Sequence, residues 1–487
     1  MNAPALSTCS YANCALQISD SAQRRCILHS EDLQKDKRQF DSAVAEKLAS
    51  NDFDFSGVVF PAKVDFRGRV ISKGSFREAT FVDFARFDSV RFEGVTTFLN
   101  AKFKGGATFQ NAQFAGFADF RRCDFGEIFA VKATFNDAQF LGPATFAGAT
   151  FHLGAEFINA SFAGPAYFVG VTFVAPVNFR AAGFQDFVDF TMALFQGKGV
   201  FVYGSPFKFK CIDAAGTFFE ASFKGAAYFV ACGFDNVVDF ELAQFRGAAV
   251  FTLARPPGNP KVCFEGVVCE DPERVSFDRF DISRITFLNT NLQKIRFHNV
   301  AWPRTASRIA LYDEQQNRAA SGERLLRDEK QDREAIRILY RDLKMNFDAA
   351  GDWVAAGDFY YAEMEIARRR HPRRTTRWLL SLYWFLAGYG ERPVHALLVF
   401  IGMIVCLSIL FMLPWAGFTV ELTPHNTVNW HLSPLEAIGH SVRAVFIRAP
   451  FFQPQTKWAH AFTLTGNIAG ASQLTLLAIA LRRWLRR

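Results

Sequence analysis

The chain has 487 residues, half of them hydrophobic, and a formal net charge of +8, enough chain to bury large cores in more than one domain. Residues 1–300 carry 31 basic and 31 acidic side chains, so the surplus, 24 basic against 16 acidic, lies wholly in residues 301–487. A neutral first half lacks the electrostatic footprint of a nucleic-acid binder, and nucleic acid is not expected as a partner.

The amino terminus, MNAPALSTCSYANC, has neither the basic start nor the apolar run of a secretory signal peptide, so the first domain is expected to be intracellular. Nine cysteines at scattered spacings fit a reducing compartment. Cys9, Cys14, Cys26 and His29 form a C-x4-C-x11-C-x2-H arrangement. Two pairs of soft or borderline ligands across a short loop suit a closed tetrahedral zinc site with a structural role. The stretch after His29 reads as an amphipathic helix through Phe40, Val44 and Leu48. Residues 1–50 are thus expected to form a zinc-binding cap over the open end of the adjoining domain.

From residue 51 onward the chain is dominated by phenylalanine, with 57 in all against 10 tyrosines and 8 tryptophans. From Phe92 they fall at 98, 103, 109, 114, 120 and 125. From Phe135 they resume at 140, 146, 151, 157, 162, 168, 173, 179, 184, 190, 195 and 201, and after an irregular stretch at 204–216 again from Phe218 to Phe251. The steps alternate between six and five, and a small or β-branched residue such as Ala107, Ala112, Ala138 or Val171 stands two places before most of them. Residues i and i−2 of an extended segment point to one side, so each unit sends one large and one small apolar group inward. Residues at i−1, such as Thr108, Gln113, Asp119, Thr134 and Gln139, are expected to face water. Glycines and prolines at the six-residue steps, including Gly105, Gly142, Pro143, Gly164 and Pro165, are expected at the corners.

This pattern resembles the pentapeptide-repeat family, with phenylalanine as the central residue of each unit, over residues 51–300. The resemblance implies a right-handed quadrilateral β-helix of four units per coil. The extra residue in alternate units lengthens a coil to about 22 residues, and at the inter-strand spacing of roughly 4.8 Å the stretch 92–251 would make a rod about 35 Å long. Some members of that family are acidic duplex mimics that protect topoisomerase, a role the neutral charge of this rod argues against.

Residues 301–377 change period. Ile336, Tyr340, Leu343 and Phe347 share one helical face, and Trp353, Ala356, Tyr360, Met364 and Ala367 another. Gly351 ends the first helix and Asp352 can cap the second, which predicts an antiparallel helical hairpin. Glu363 and Glu365 flank Met364 and read as a solvated helical face.

Residues 378–487 read as a membrane region: an interfacial helix at 378–387, a span at 394–416, a short amphipathic helix at 434–447 and a second span at 458–481. The second span carries Gly466, Asn467, Gly470 and Gln473, candidates for a pore wall or a close helix contact. Arginines precede the first span and follow the second. Both termini and the rod are therefore expected on the cytoplasmic side of a cell inner membrane. Span, short helix, span is also similar to the layout of two-helix ion channels, in layout only, because IRAPFF follows the short helix in place of a potassium filter.

The fold class expected is therefore mixed: a β-helix, a helical hairpin and a two-helix transmembrane region. No phosphate loop, dinucleotide fingerprint, nucleophile elbow or HExxH is present in the sequence, and no enzymatic activity is expected. The function expected is a homo-oligomeric integral membrane protein whose β-helix presents a surface to an unidentified protein partner. The alternative is an oligomeric channel or membrane-permeabilising effector gated by the rod.

Overall fold

The computed structural model describes residues 8–11, 14, 16–127, 131–202, 216–230, 238–252, 262–305, 308–319, 329–370, 373–413, 416–423, 426–446 and 452–485. Two compact units emerge, one comprising residues 1–303 with 311–326, the other 304–310 with 327–487.

The first unit is a parallel β-solenoid with four faces. Strands of two to four residues stack into parallel sheets of 10, 11, 6 and 10 strands among the described residues, the six-stranded one ending at Gly183–Phe184. The register advances by one coil: Phe81 pairs with Phe103 and Phe103 with Phe125, Thr150 with Thr172 and Phe151 with Phe173. Phe125 pairs with Phe151 instead of a residue 22 positions on. The four additional residues fall between Phe125 and Phe135 in the sequence, and the coils on either side keep their alignment.

Registration turns the repeated phenylalanine into four columns of stacked rings. One runs Phe76, Phe98, Phe120, Phe146, Phe168 and Phe190 at centroid separations of 4.7–4.9 Å. A second runs through Phe81, Phe103, Phe125 and Phe151. Between columns the rings meet edge to face, as Phe146 meets Phe135 at 5.3 Å and Phe157 at 5.5 Å, both near a right angle. Stacking along the axis and T-contacts across it satisfy the ring quadrupoles in both directions. The small residues at i−2 are as buried as the rings.

The corners at the six-residue steps carry glycine and proline, with turns or bends at Gly105, Gly142 and Gly164, but those at the five-residue steps are built differently. The left-handed residues follow the phenylalanines of the five-residue steps by two places and are mostly not glycine: Asn100, Asn111, Arg122, Asp137, Asn159, Ala181 and Met192 all have φ between 54° and 59°. The glycines of the six-residue steps meet a different demand. A Cβ on Gly142 would stand 2.6 Å from the Gly116 carbonyl oxygen, and one on Gly164 2.8 Å from the Gly142 carbonyl carbon, so this edge is a stack of close backbone contacts.

Helix α1 (Lys37–Ala49) covers the amino-terminal end. Asp36 caps it by accepting from the amides of Arg38 and Gln39. Of the three apolar positions expected on its buried face only Phe40 is fully buried, its ring edge-on to that of Phe60 at 5.8 Å. At the other end, helix α2 (Tyr312–Ala319) places Asp313 against the last coils. Both carboxylate oxygens accept from the Phe287 amide at 3.1 Å, and burial pushes the carboxyl up to about 7.

The second unit is helical. Helices α3 (Glu329–Ala349) and α4 (Trp353–Arg370) form the hairpin, with Gly351 at φ 77° and the Asp352 carboxylate accepting from the Ala355 amide. Ile336, Leu339, Tyr340 and Leu343 are buried on α3; on α4 the buried face is Ala356, Phe359 and Ala362, while Trp353 is exposed. Helices α5 (Arg374–Ala387) and α6 (Pro393–Met412) are joined by a tight turn at Gly388–Gly390. An antiparallel hairpin, Phe418–Thr423 with Asn426–Trp430, precedes α7 (Pro434–Val445), and α8 (Lys457–Leu485) closes the chain. The interfacial helix therefore begins four residues earlier than its apolar pattern, the first span stops at Met412 instead of 416, and the second extends at both ends to 457 and 485. Residue 447, the predicted end of the short helix, lies outside the described residues, as does the irregular stretch 204–216 up to residue 215.

Candidate functional site

The four amino-terminal candidates converge. The Cys14 and Cys26 sulfurs stand 3.7 Å apart, His29 Nδ1 lies 3.5 Å from Cys9 Sγ and 3.1 Å from Cys26 Sγ, and all four ligand atoms fall within 4.8 Å of one another. Tetrahedral coordination at standard zinc distances puts sulfur–sulfur edges at about 3.8 Å and sulfur–nitrogen edges at about 3.6 Å. The donor set is thus close to the size of a closed tetrahedral site. His29 Nε2 lies 3.0 Å from the Ser56 carbonyl oxygen. Donation to that carbonyl would leave Nδ1 as a lone pair facing the thiols, the outer-shell arrangement that orients metal-binding histidines. Burial pushes the Cys26 thiol up to about 12.

The same few residues fasten the cap to the first coil. The Val59 amide donates to the Leu28 carbonyl at 2.9 Å, and the buried Lys35 ammonium donates to the carbonyls of Val59, Ser30 and Leu28 at 2.7, 3.0 and 3.4 Å. Burial lowers its pKa to about 8. Tyr11 stacks on His29 with centroids 4.3 Å apart and lies over Gly57, where a Cβ would come within 2.2 Å of its ring. A cleft of about 740 Å³ opens beside this cluster between Tyr11, Glu46, Asp54 and Glu78.

In the helical unit Gly466, Gly470 and Gln473 of α8 face neighbouring helices. Gln473 is buried, and its Nε2 donates to the carbonyls of Leu386 and Ala396 at 2.7 and 3.1 Å, which ties α8 to the end of α5 and the start of α6. Gly466 lies against Leu407 and Ala444, and at Gly470 a Cβ would come 2.7 Å from the Val445 Cα. Asn467 is half-buried. Ser408 of α6 donates to Ser441 of α7 at 3.1 Å.

These contacts fix the course of α7. Its last residues reach Gly466 and Gly470, nine and thirteen positions into α8, and the following Phe446 meets Phe400 near the middle of α6 at 6.3 Å. Gln453 then pairs with Thr419, just beyond the far end of α6. Helix α7 therefore penetrates about 20 Å along α8, and the chain returns to the end from which it entered. On α7, His440 is buried between the rings of Phe411 and Phe418, at 4.8 and 4.9 Å, and neither ring nitrogen has a hydrogen-bond partner among the described residues.

Helix α4 is latched to this bundle. Glu365 is buried, where its carboxylate accepts from Arg368 and Arg369 at 2.7 Å and from the Tyr389 hydroxyl at 3.2 Å. The solvated role expected of it gives way to ion pairing because α5 and the 388–390 turn pack over that side of α4. Burial opposes its charge, but the two guanidiniums outweigh that and hold the carboxyl below its usual value. Tyr389 is itself fully buried at φ 60°, and its carbonyl accepts from the Tyr383 hydroxyl and from Arg483, which also pairs with Glu391 at 2.7 Å.

Residues 135–183, in the most regular part of the coil, match the family model described as pentapeptide repeats (9 copies). The rod is a pentapeptide-repeat solenoid. No curated protein and no solved structure matches the chain. On this solenoid the i−1 side chains form outward columns, and some are less wet than their position implies. Gln113 donates to Gln139 one coil on at 3.4 Å. Asp119 and Thr108 are buried, because Arg121 and Thr97 close over the first and Asp88 accepts from the second.

Proposed function

We propose that this is a non-enzymatic integral membrane protein in which α6 and α8 cross the bilayer and the pentapeptide-repeat solenoid is a cytoplasmic interaction arm. The observation that carries the reading is the outer surface of the helical unit. Helices α6 and α8 are long and apolar enough to cross a membrane, and less than a third of either apolar window is buried, unlike a soluble core helix. Val394, Leu398, Ile401, Val405 and Ile409 on α6 and Leu464 and Ile468 on α8 are exposed. So continuous an apolar girdle calls for lipid. Arginines at the start of α5 and the end of α8 support a cytoplasmic placement of both ends.

The test is cysteine accessibility in membrane vesicles. Cys406, exposed on α6, resists a membrane-impermeant maleimide until detergent is added, and Met192→Cys on the rod labels only in inverted vesicles. Ready labelling of Cys406 in intact vesicles of either orientation would refute the reading.

One observation favours a second reading of the same region, an oligomeric pore: α7 enters and leaves on one side, as a re-entrant segment does. Liposomes holding the purified full-length protein would then pass ions. Tight liposomes with Cys406 protected would leave the anchored arm alone.

A further inference from the structure

We infer that Cys9, Cys14, Cys26 and His29 hold one zinc ion, and that this ion fastens the cap to the open end of the solenoid. The inference is independent of the membrane reading, since every residue it uses lies in residues 9–77.

Three observations combine. The first is size: the donor separations approach those of a tetrahedral site with three sulfurs and one nitrogen, and four protein ligands leave no open position, as in structural centres. The second is chemistry: all four cysteines and histidines of the cap donate to one point, and Cys9 and Cys26 are buried without a disulfide. Three clustered thiols with no disulfide, two of them buried, are a donor set that selects a borderline-soft cation. The third is connectivity. His29 is at once the nitrogen donor and, through Nε2, the residue that reaches the Ser56 carbonyl of the first coil. Its ring also carries Tyr11, which covers Gly57.

The hydrogen bonds of that coil show why a fastener is needed. The amides of Phe55 and Gly57 pair with Ser75 and Arg77 in the next coil, but Val59 donates to Leu28 of the cap. Among the described residues nothing in the solenoid lies beyond them on the cap side. An uncovered first coil would offer unpaired backbone groups and the ring of Phe60 to solvent or to a second copy. The described part of segment 8–30 is mostly turns and isolated bridges, so the metal supplies the order that a hydrophobic core of that size cannot.

The experiment uses the full-length protein, purified in detergent without chelators. Elemental analysis is expected to return one zinc per chain, and exchange into cobalt(II) to give the intense visible bands of a tetrahedral thiolate site. His29→Cys is expected to retain the metal with a shifted cobalt spectrum, whereas a Cys14→Ser, Cys26→Ser double variant loses it. On metal removal, amide exchange over residues 55–60 should rise by about tenfold or more, while residues 144–168 stay unchanged. Substoichiometric metal with no cobalt spectrum would overturn the site. A full complement of zinc whose removal leaves exchange at 55–60 unaltered would overturn its role as a fastener.

Discussion

Asp313 offers a sharp test of how the far end of the solenoid is closed. Its carboxyl is 2% exposed, and both oxygens face the Phe287 amide. Burial raises its pKa from an ordinary 3.8 to about 7. A raised carboxyl binds its proton more tightly in the folded chain than in the unfolded one. The folded state is therefore not penalised below pH 3.8, loses stability as the pH rises through the window from 3.8 to about 7, and carries the full penalty above it. About three units at roughly 1.36 kcal/mol each make this about 4 kcal/mol. Asp313→Asn keeps an oxygen acceptor for the Phe287 amide and removes the charge, so its stability should be flat where the wild type declines. Exchange of amides in residues 285–298, corrected for intrinsic rates and followed from about pH 5 to about pH 8, reads the opening of this end directly. Equal slopes in the two proteins, or a wild-type end that tightens as pH rises, would refute the reasoning.

Further perturbations separate the forces along the chain. Phe146→Ala removes a ring stacked on two others and edge-on to three more; the expected loss is about 3–5 kcal/mol, measured as a lower denaturant midpoint of the solenoid. Gly142→Ala drives a methyl into the Gly116 carbonyl and should cost about 1–3 kcal/mol. Gly170→Ala, at φ 61° with open space around it, should cost only about 1 kcal/mol; reversal of that order in the same assay would mean that conformation, not close approach, governs the glycine edge. In the helical unit, Gln473→Leu deletes two donors to backbone carbonyls. It should destabilise the protein in detergent more than Asn467→Leu, by about 1–3 kcal/mol, read as a lower thermal midpoint.

The solenoid was legible because its signal is redundant. A ring every five or six residues specifies inward faces, and each coil repeats the instruction. The corners were less legible, since the left-handed position at a five-residue step is occupied by Asn111, Arg122 or Met192 alike. The shape is imposed by the stacked strands on either side, so local preference leaves little trace. Of the cap, the clustering of Cys9, Cys14, Cys26 and His29 was readable from spacing, but not the reach of His29 to Ser56 or of Lys35 to Val59, which depend on how the cap meets the coil. In the helical unit apolar length marked α6 and α8. The partners of Gln473 lie 77 and 87 residues away in sequence, a separation that periodicity cannot report. Glu365 misled for a related reason: spacing assigns a helix face, but only packing shows that α4 has two covered faces.

The four-residue lengthening after Phe125 bears on how such a chain can change. Because Phe125 still meets Phe151, and Phe114 still meets Phe140, in unbroken columns, each coil is aligned by its neighbours and not by counting from the terminus. Gain or loss of a whole coil would alter the length of the solenoid by one ring spacing and leave both end closures as they are. Length and end closure are therefore separately adjustable in this architecture, so a lineage can lengthen the solenoid without redesigning what covers it at either end.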